Sequence, residues 1–168
     1  MATIYPNAIV AIELNFIKLN ENDDPVFIPR KLQLRFTDGA WYMHQMKMQE
    51  ILKELNPELD LASEDAKDRM IMPAIEETLA IGIWAGIQWI EKQRDITIED
   101  IINCFDSEMF ENGEISEYMD AVTKAMGLSN EDGTPLSPEE AQKKIAKILM
   151  RVMMQRGMTQ KTYLSLMT

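Results

Sequence analysis

The chain has one cysteine and one histidine in 168 residues. Cys104 therefore has no partner for an internal disulfide, and a reducing cytoplasm is its natural setting. With one thiol, one imidazole and no local signature around either, a zinc site or a thiol protease has no support. Cys104 lies within Ile101-Ile102-Asn103-Cys104-Phe105, where a buried free thiol is expected. His44 stands beside Met43 at the edge of an apolar helix face, the place of a structural histidine. Long hydrophobic runs are also missing. The longest, residues 79–90, falls short of the roughly 18 needed to cross a bilayer, so no membrane span is expected. Met1-Ala2-Thr3-Ile4-Tyr5-Pro6-Asn7 has neither a basic segment nor a cleavage site, and export by signal peptide is not expected. No glycine-rich phosphate loop is present. Two acidic clusters with a glycine fail as calcium loops. Gly113 as sixth loop residue puts Phe110 third and Met119 twelfth, and Gly133 as sixth puts Leu128 first. No metal or other cofactor is expected.

Positive charge is scarce over most of the chain. The net charge is −11. From Pro138 onward Lys143, Lys144, Lys147, Arg151, Arg156 and Lys161 stand against only Glu139 and Glu140, which leaves −15 on the rest. A body this acidic is a poor ligand for phosphates, so nucleic acid is not an expected partner. An acidic body with a basic end fits either a solvated domain with one amphipathic helix or electrostatic self-association. Hydrophobic residues make up 46% of the chain, enough to fill the core of a single domain.

Alternation of Ile12, Leu14 and Phe16 with Glu13 and Asn15 predicts a half-buried strand. Residues 20–25 are a turn cluster. Leu32, Leu34 and Phe36 alternate with Lys31, Gln33 and Arg35 in a second strand, which Pro29 either interrupts or places at an edge. Thr37 or Asp38 opens a helix whose Trp41, His44 or Gln45, Met48, Leu52 and Leu55 share a face, and Asn56-Pro57 closes it. Ser63 is a candidate cap for the next helix. The main helix either starts near Pro73 or kinks there, and continues to about Gln93. Helices follow over 98–105 and 115–126, with Gly127 as a left-handed stop. Residues 128–137 read as a linker. Ser137-Pro138-Glu139-Glu140 then starts a last helix that ends near Gly157. The expected fold is α+β, mainly α: an N-terminal β-hairpin or small sheet, a compact bundle of four to five helices over residues 1–127, and an amphipathic helix in 138–168.

The densest information lies in Leu79-Ala80-Ile81-Gly82-Ile83-Trp84-Ala85-Gly86-Ile87-Gln88-Trp89-Ile90 and the following Asp95-Ile96-Thr97-Ile98-Glu99-Asp100-Ile101. A helix apolar all round is buried among other helices or keeps a face for a partner. Thr97 with Asp100 three residues on matches a capping box. Gly82 and Gly86 have the spacing that lets another backbone come close, inside the domain in preference to between chains. Of fourteen methionines, Met43, Met46 and Met48 read as core filler. The Met150, Met153, Met154, Met158 and Met167 group reads equally as filler and as an adaptable partner surface.

In the order of its elements, and in the segments Leu32-Gln33-Leu34-Arg35-Phe36-Thr37-Asp38-Gly39-Ala40, Ile83-Trp84-Ala85-Gly86-Ile87 and 95–101, the chain resembles the tail assembly chaperones of long-tailed bacteriophages. The resemblance covers about residues 9–127 and does not reach the basic end. It implies a non-catalytic, homo-oligomeric protein of the host cytoplasm that coats the tape measure protein and helps tail tube subunits polymerise around it. It brings no active-site residue. The partner-binding residues expected here are Trp84, Ile87 and Trp89 on the central helix and Met150, Met154 and Met158 on the last. The alternative is an acidic inhibitor that mimics nucleic acid at a basic site on a host protein. An enzyme built on Glu76, Glu77, Asp100 and Asp106 ranks below both.

Overall fold

The computed structural model describes residues 9–155. The fold is α+β and mainly α, as the periodicities predict. Strands β1 (Val10–Leu19) and β2 (Pro25–Leu34) form one antiparallel hairpin, with Ile12 opposite Leu32, Phe16 opposite Ile28 and Ile17 opposite Phe27. Its turn is held by Asn20, whose Oδ1 accepts the backbone N–H groups of Asn22 (2.8 Å) and Asp24 (3.0 Å). Pro29 does not interrupt β2; it pairs with Asn15 in a strand that has no further strand along its other side. At the base of the hairpin Ile12, Leu14, Leu32 and Leu34 point into the core.

The helices are α1 (Asp38–Leu55), α2 (Ala66–Arg69), α3 (Ile75–Gly86), α4 (Ile98–Ile102), α5 (Ser107–Glu111), α6 (Glu114–Ala125) and α7 (Pro138–Gln155). Four are long and three are single turns. Thr37 caps α1 by accepting from Ala40 N–H at 3.1 Å. The capping box at α4 forms in full, with Thr97 N–H to Asp100 Oδ2 at 2.9 Å and Asp100 N–H to Thr97 Oγ1 at 3.1 Å. Ser63 does not cap. Its hydroxyl donates to Asp60 O and Asp65 Oδ1, and α2 starts after Asp65 without a side-chain cap. Between α2 and α3 the chain is extended, so Pro73 precedes a separate helix and does not kink a longer one.

Helix α3 ends at Gly86, seven residues before the expected Gln93. Tertiary bonds take over its last carbonyls. Arg35 N–H of the chain leaving β2 donates to Gly86 O at 2.9 Å, Gln93 Nε2 donates to Ile87 O at 3.0 Å, and Arg94 Nε donates to Gln88 O at 2.8 Å. These donors satisfy groups that another helical turn would have satisfied. The chain then folds through a 3-10 turn, Glu91–Gln93, into α4.

Around α3 lie β2, α1, α4 and α6, so the helix that is apolar all round is covered within the chain. The two glycines allow two close approaches. A Cβ on Gly82 would lie 2.9 Å from Val122 Cγ1 of α6, and one on Gly86 would lie 3.2 Å from Phe36 Cε1 and 3.3 Å from Leu34 Cδ2. Gly127, with φ 75°, ends α6 as expected: its N–H donates to Lys124 O and Leu128 N–H donates to Thr123 O, a Schellman pair.

Residues 128–137 are not an open linker. Leu128 is buried, Ser129 bridges Pro135, and Leu136 N–H donates to Leu128 O at 2.9 Å. Ser137 caps α7 by accepting from Glu140 N–H. Helix α7 then lies on α1, buries Ile148, Leu149, Val152 and Met153 in the core shared with the hairpin and α3, and ties to the first turn of α1 through Arg151–Asp38 at 2.7 Å. The described part of α7 therefore packs into the same core as the elements before it. The expected helix end near Gly157 lies outside the described residues.

Candidate functional site

A groove of about 390 Å³ opens between α1, α3, α6 and α7. Trp41, Leu79, Gly82, Val122, Ile145 and Leu149 line it, and Ile75 (56% exposed) and Met119 (45% exposed) stand at its rim. Gly82 belongs to this wall because the missing side chain brings α6 against α3. At the α1 wall Phe36, Trp41 and His44 pack edge to face, with centroids 5.1 Å apart for Phe36–Trp41 and 6.3 Å for Trp41–His44. Trp41 is buried and its indole N–H has no acceptor among the described residues. Burial of this kind costs about 1–3 kcal/mol for an unmade bond.

His44 shares that wall. Desolvation pulls its imidazole pKa down to about 4, so it is neutral at pH 7. The folded chain resists a proton that the unfolded chain takes up at its ordinary pKa near 6.5. Stability tied to His44 is therefore intact above pH 6.5 and drains away as pH falls towards 4. Urea unfolding at pH 7 and pH 4.5 should show wild type losing about 2 kcal/mol more than His44→Gln between the two pH values. Equal losses would mean that the imidazole is hydrated in the folded chain.

The residues expected to bind partners divide. Trp84 is half-buried and lines a different cleft, with Ile51 of α1 and Ile98 and Ile102 of α4. Ile87 is fully buried, a correction to its assignment as a surface residue, because the end of α3 tucks beneath the hairpin. Trp89 is engaged internally: its indole N–H donates to Gln33 O at 3.0 Å, and the Arg35 guanidinium sits 5.5 Å from its ring centre. Met150 packs half-buried against the core, whereas Met154 is 48% exposed on the outer side of α7. Met158 lies outside the described residues.

Other reactive groups are occupied or quiet. Burial pushes the Cys104 thiol up to about 11, and its Sγ donates to Asp100 O. The Asp100 and Asp106 carboxylates cap α4 and α5. No group of three or more His, Cys, Asp or Glu side chains among the described residues is placed to hold a metal ion. No described helix is long and apolar enough to cross a membrane.

The chain matches no protein-family model, no curated protein and no solved structure.

The outer half of the hairpin is the surface that sequence patterning missed. Beyond Leu14 and Arg30 the strands continue to Leu19 and Pro25, and Ile17, Leu19, Val26, Phe27 and Ile28 are all exposed, Phe27 at 63% and Leu19 at 66%. The signal was present. Alternation stops at Phe16-Ile17, after which both faces of the ribbon are apolar, a pattern found in strands covered on both sides.

Proposed function

We propose that this chain is a non-catalytic, self-associating assembly chaperone of the phage tail type, which binds the tape measure protein and tail tube subunits in the host cytoplasm. The observation that carries the reading is apolar surface left open in two places on a chain that already fills its own core: the outer half of the hairpin and the groove rimmed by Ile75 and Met119. Large exposed apolar patches mark sites of protein association. The likeness of the segments 32–40, 83–87 and 95–101 to the chaperone family supplies the identity of the clients.

The test is co-expression with a tagged tape measure protein from a long-tailed phage, followed by capture at low and at high salt. The expected result is co-purification that survives high salt, because apolar contacts are not screened. A chain that stays monomeric and ignores both tape measure and tube proteins would sink the reading. Salt-sensitive capture of a basic host protein instead would favour the acidic inhibitor.

A further inference from the structure

We infer that the outer face of α7 of one copy docks in the cleft between α1, α3 and α4 of a second copy. Lys143 and Lys147 then meet the carboxylates of its rim, and Met150 and Met154 meet the Trp84 floor. The inference rests on the self-association part of the chaperone reading and gives it two named surfaces.

The cleft has an apolar floor and an acidic rim. Trp84 of α3, Ile51 of α1, and Ile98 and Ile102 of α4 make the floor of a space of about 530 Å³. Trp84 is half-buried, and its ring meets no other aromatic or cationic group among the described residues. Glu50, Glu54, Glu77 and Glu99 stand around it, against Lys47 and Arg94, which leaves the lining negative. Lys47 lies 3.5 Å from Glu50, and Arg94 Nε donates to Gln88 O. The carboxylates of Glu54, Glu77 and Glu99 have no ion pair among the described residues. Such a lining repels phosphates and anionic membrane surfaces. What it attracts is a cation with an apolar neighbour.

Helix α7 carries that combination on the side opposite its buried one. Ile148, Leu149, Val152 and Met153 pack in the core. Lys143, Lys147, Met150 and Met154, spaced four, three and four residues apart, follow one another along the other side. Met150 is half-buried there and Met154 is exposed. The Lys147 ammonium has no ion pair among the described residues, and Lys143 reaches Glu139 at 4.0 Å in an exposed pair of little worth. The other two cations of the helix are held within the chain, Lys144 by Gly127 O and Arg151 by Asp38. A thioether packs well on an aromatic ring, and an ammonium one turn away suits a carboxylate at the rim. The pairing also joins the acidic body to the basic end, the two parts of the chain whose charges differ in sign.

Within one chain the two surfaces do not meet. Helix α7 lies on α1 with its Leu149 face and turns Lys143 and Lys147 outward, whereas the cleft opens beside Glu50, Ile51 and Glu54 of α1. The contact therefore joins different surfaces of two copies, and such contacts propagate into rings or open filaments.

Charge exchange tests the inference. Light scattering after size exclusion at low salt is measured for wild type and three variants, with circular dichroism as the check on folding. The cleft variant is Glu54→Lys/Glu99→Lys, the helix variant is Lys143→Glu/Lys147→Glu, and the third carries all four changes. All four residues are exposed, so the core is untouched. Wild-type mass is expected to rise above one chain with concentration. It should return to one chain in about 1 M salt, where charges are screened beyond roughly 3 Å. Each double variant is expected to stay at the mass of one chain, as is the milder Glu54→Gln/Glu99→Gln. The fourfold variant keeps the net charge of wild type and is expected to regain the rise. A double variant that assembles like wild type overturns the inference, as does a folded fourfold variant that stays monomeric. A monomeric wild type also overturns it. If that monomer still captures a tape measure protein, the chaperone reading stands without this contact.

Discussion

Gly86→Leu should cost about 3 kcal/mol or more and leave little folded chain at 37 °C. A Cβ at this position already meets Phe36 Cε1 at 3.2 Å and Leu34 Cδ2 at 3.3 Å, and both partners are buried in the core. Neither has an open direction in which to move, so the added side chain must pry the hairpin from α3. Overpacking a tight core costs about 1–3 kcal/mol and occasionally more. Here it also strains the Arg35 N–H to Gly86 O bond that ends the helix. Gly82→Ala is the milder control, since its one close neighbour is the Val122 side chain at the groove wall. Urea midpoints should fall in the order wild type, Gly82→Ala, Gly86→Leu. A Gly86→Leu chain as stable as wild type would mean that the hairpin does not sit on α3 as described.

Gln93→Glu is the second large effect. The Gln93 amide is buried and fully used: Oε1 accepts Gln33 N–H at 2.8 Å, and Nε2 donates to Gln33 O at 3.1 Å and to Ile87 O at 3.0 Å. A carboxylate keeps the first bond and turns the other two into contacts between oxygens. The expected loss is about 3 kcal/mol or more at pH 7, from burying a charge without a partner. Protonation restores a donor, so the carboxyl pKa of the variant is raised. Its deficit should shrink as pH falls from 7 towards 5, the opposite of the trend set by His44. Gln93→Met, which removes the bonds without adding charge, should cost about 2 kcal/mol at either pH. A Gln93→Glu deficit that does not change with pH would contradict the placement of Gln93 against the two carbonyls.

Legibility followed range. The α4 capping box, the Gly127 stop and the Ser137 cap are set by residues within one turn of each other, and each forms as the sequence predicts. The fate of α3 was legible only in part. Its apolar circumference required burial, but its end at Gly86 depends on Arg35 and Gln93, which reach it from other elements. Ile87 read as a surface residue because nothing nearby in sequence says that the hairpin base lies over it. The docking of α7 on α1 depends in part on Arg151 meeting Asp38, a pairing that no local pattern encodes. The outer hairpin leaves no alternation to read, because a ribbon apolar on both faces does not alternate.

The contact between Asp38 and Arg151 closes a loop of 113 residues, and α7 is made after every other described element. Long loops close late, because the entropy of bringing their ends together must be met before the contact rewards it. During synthesis the hairpin and α3 therefore have time to assemble while the fourth wall of the groove is still missing. A nascent chain in that interval has the groove walls of α1, α3 and α6 but not the Ile145 and Leu149 side that α7 supplies. The last helix to be made is thus the one that closes the core, and until it arrives the faces of α1 and α3 that it covers stay open.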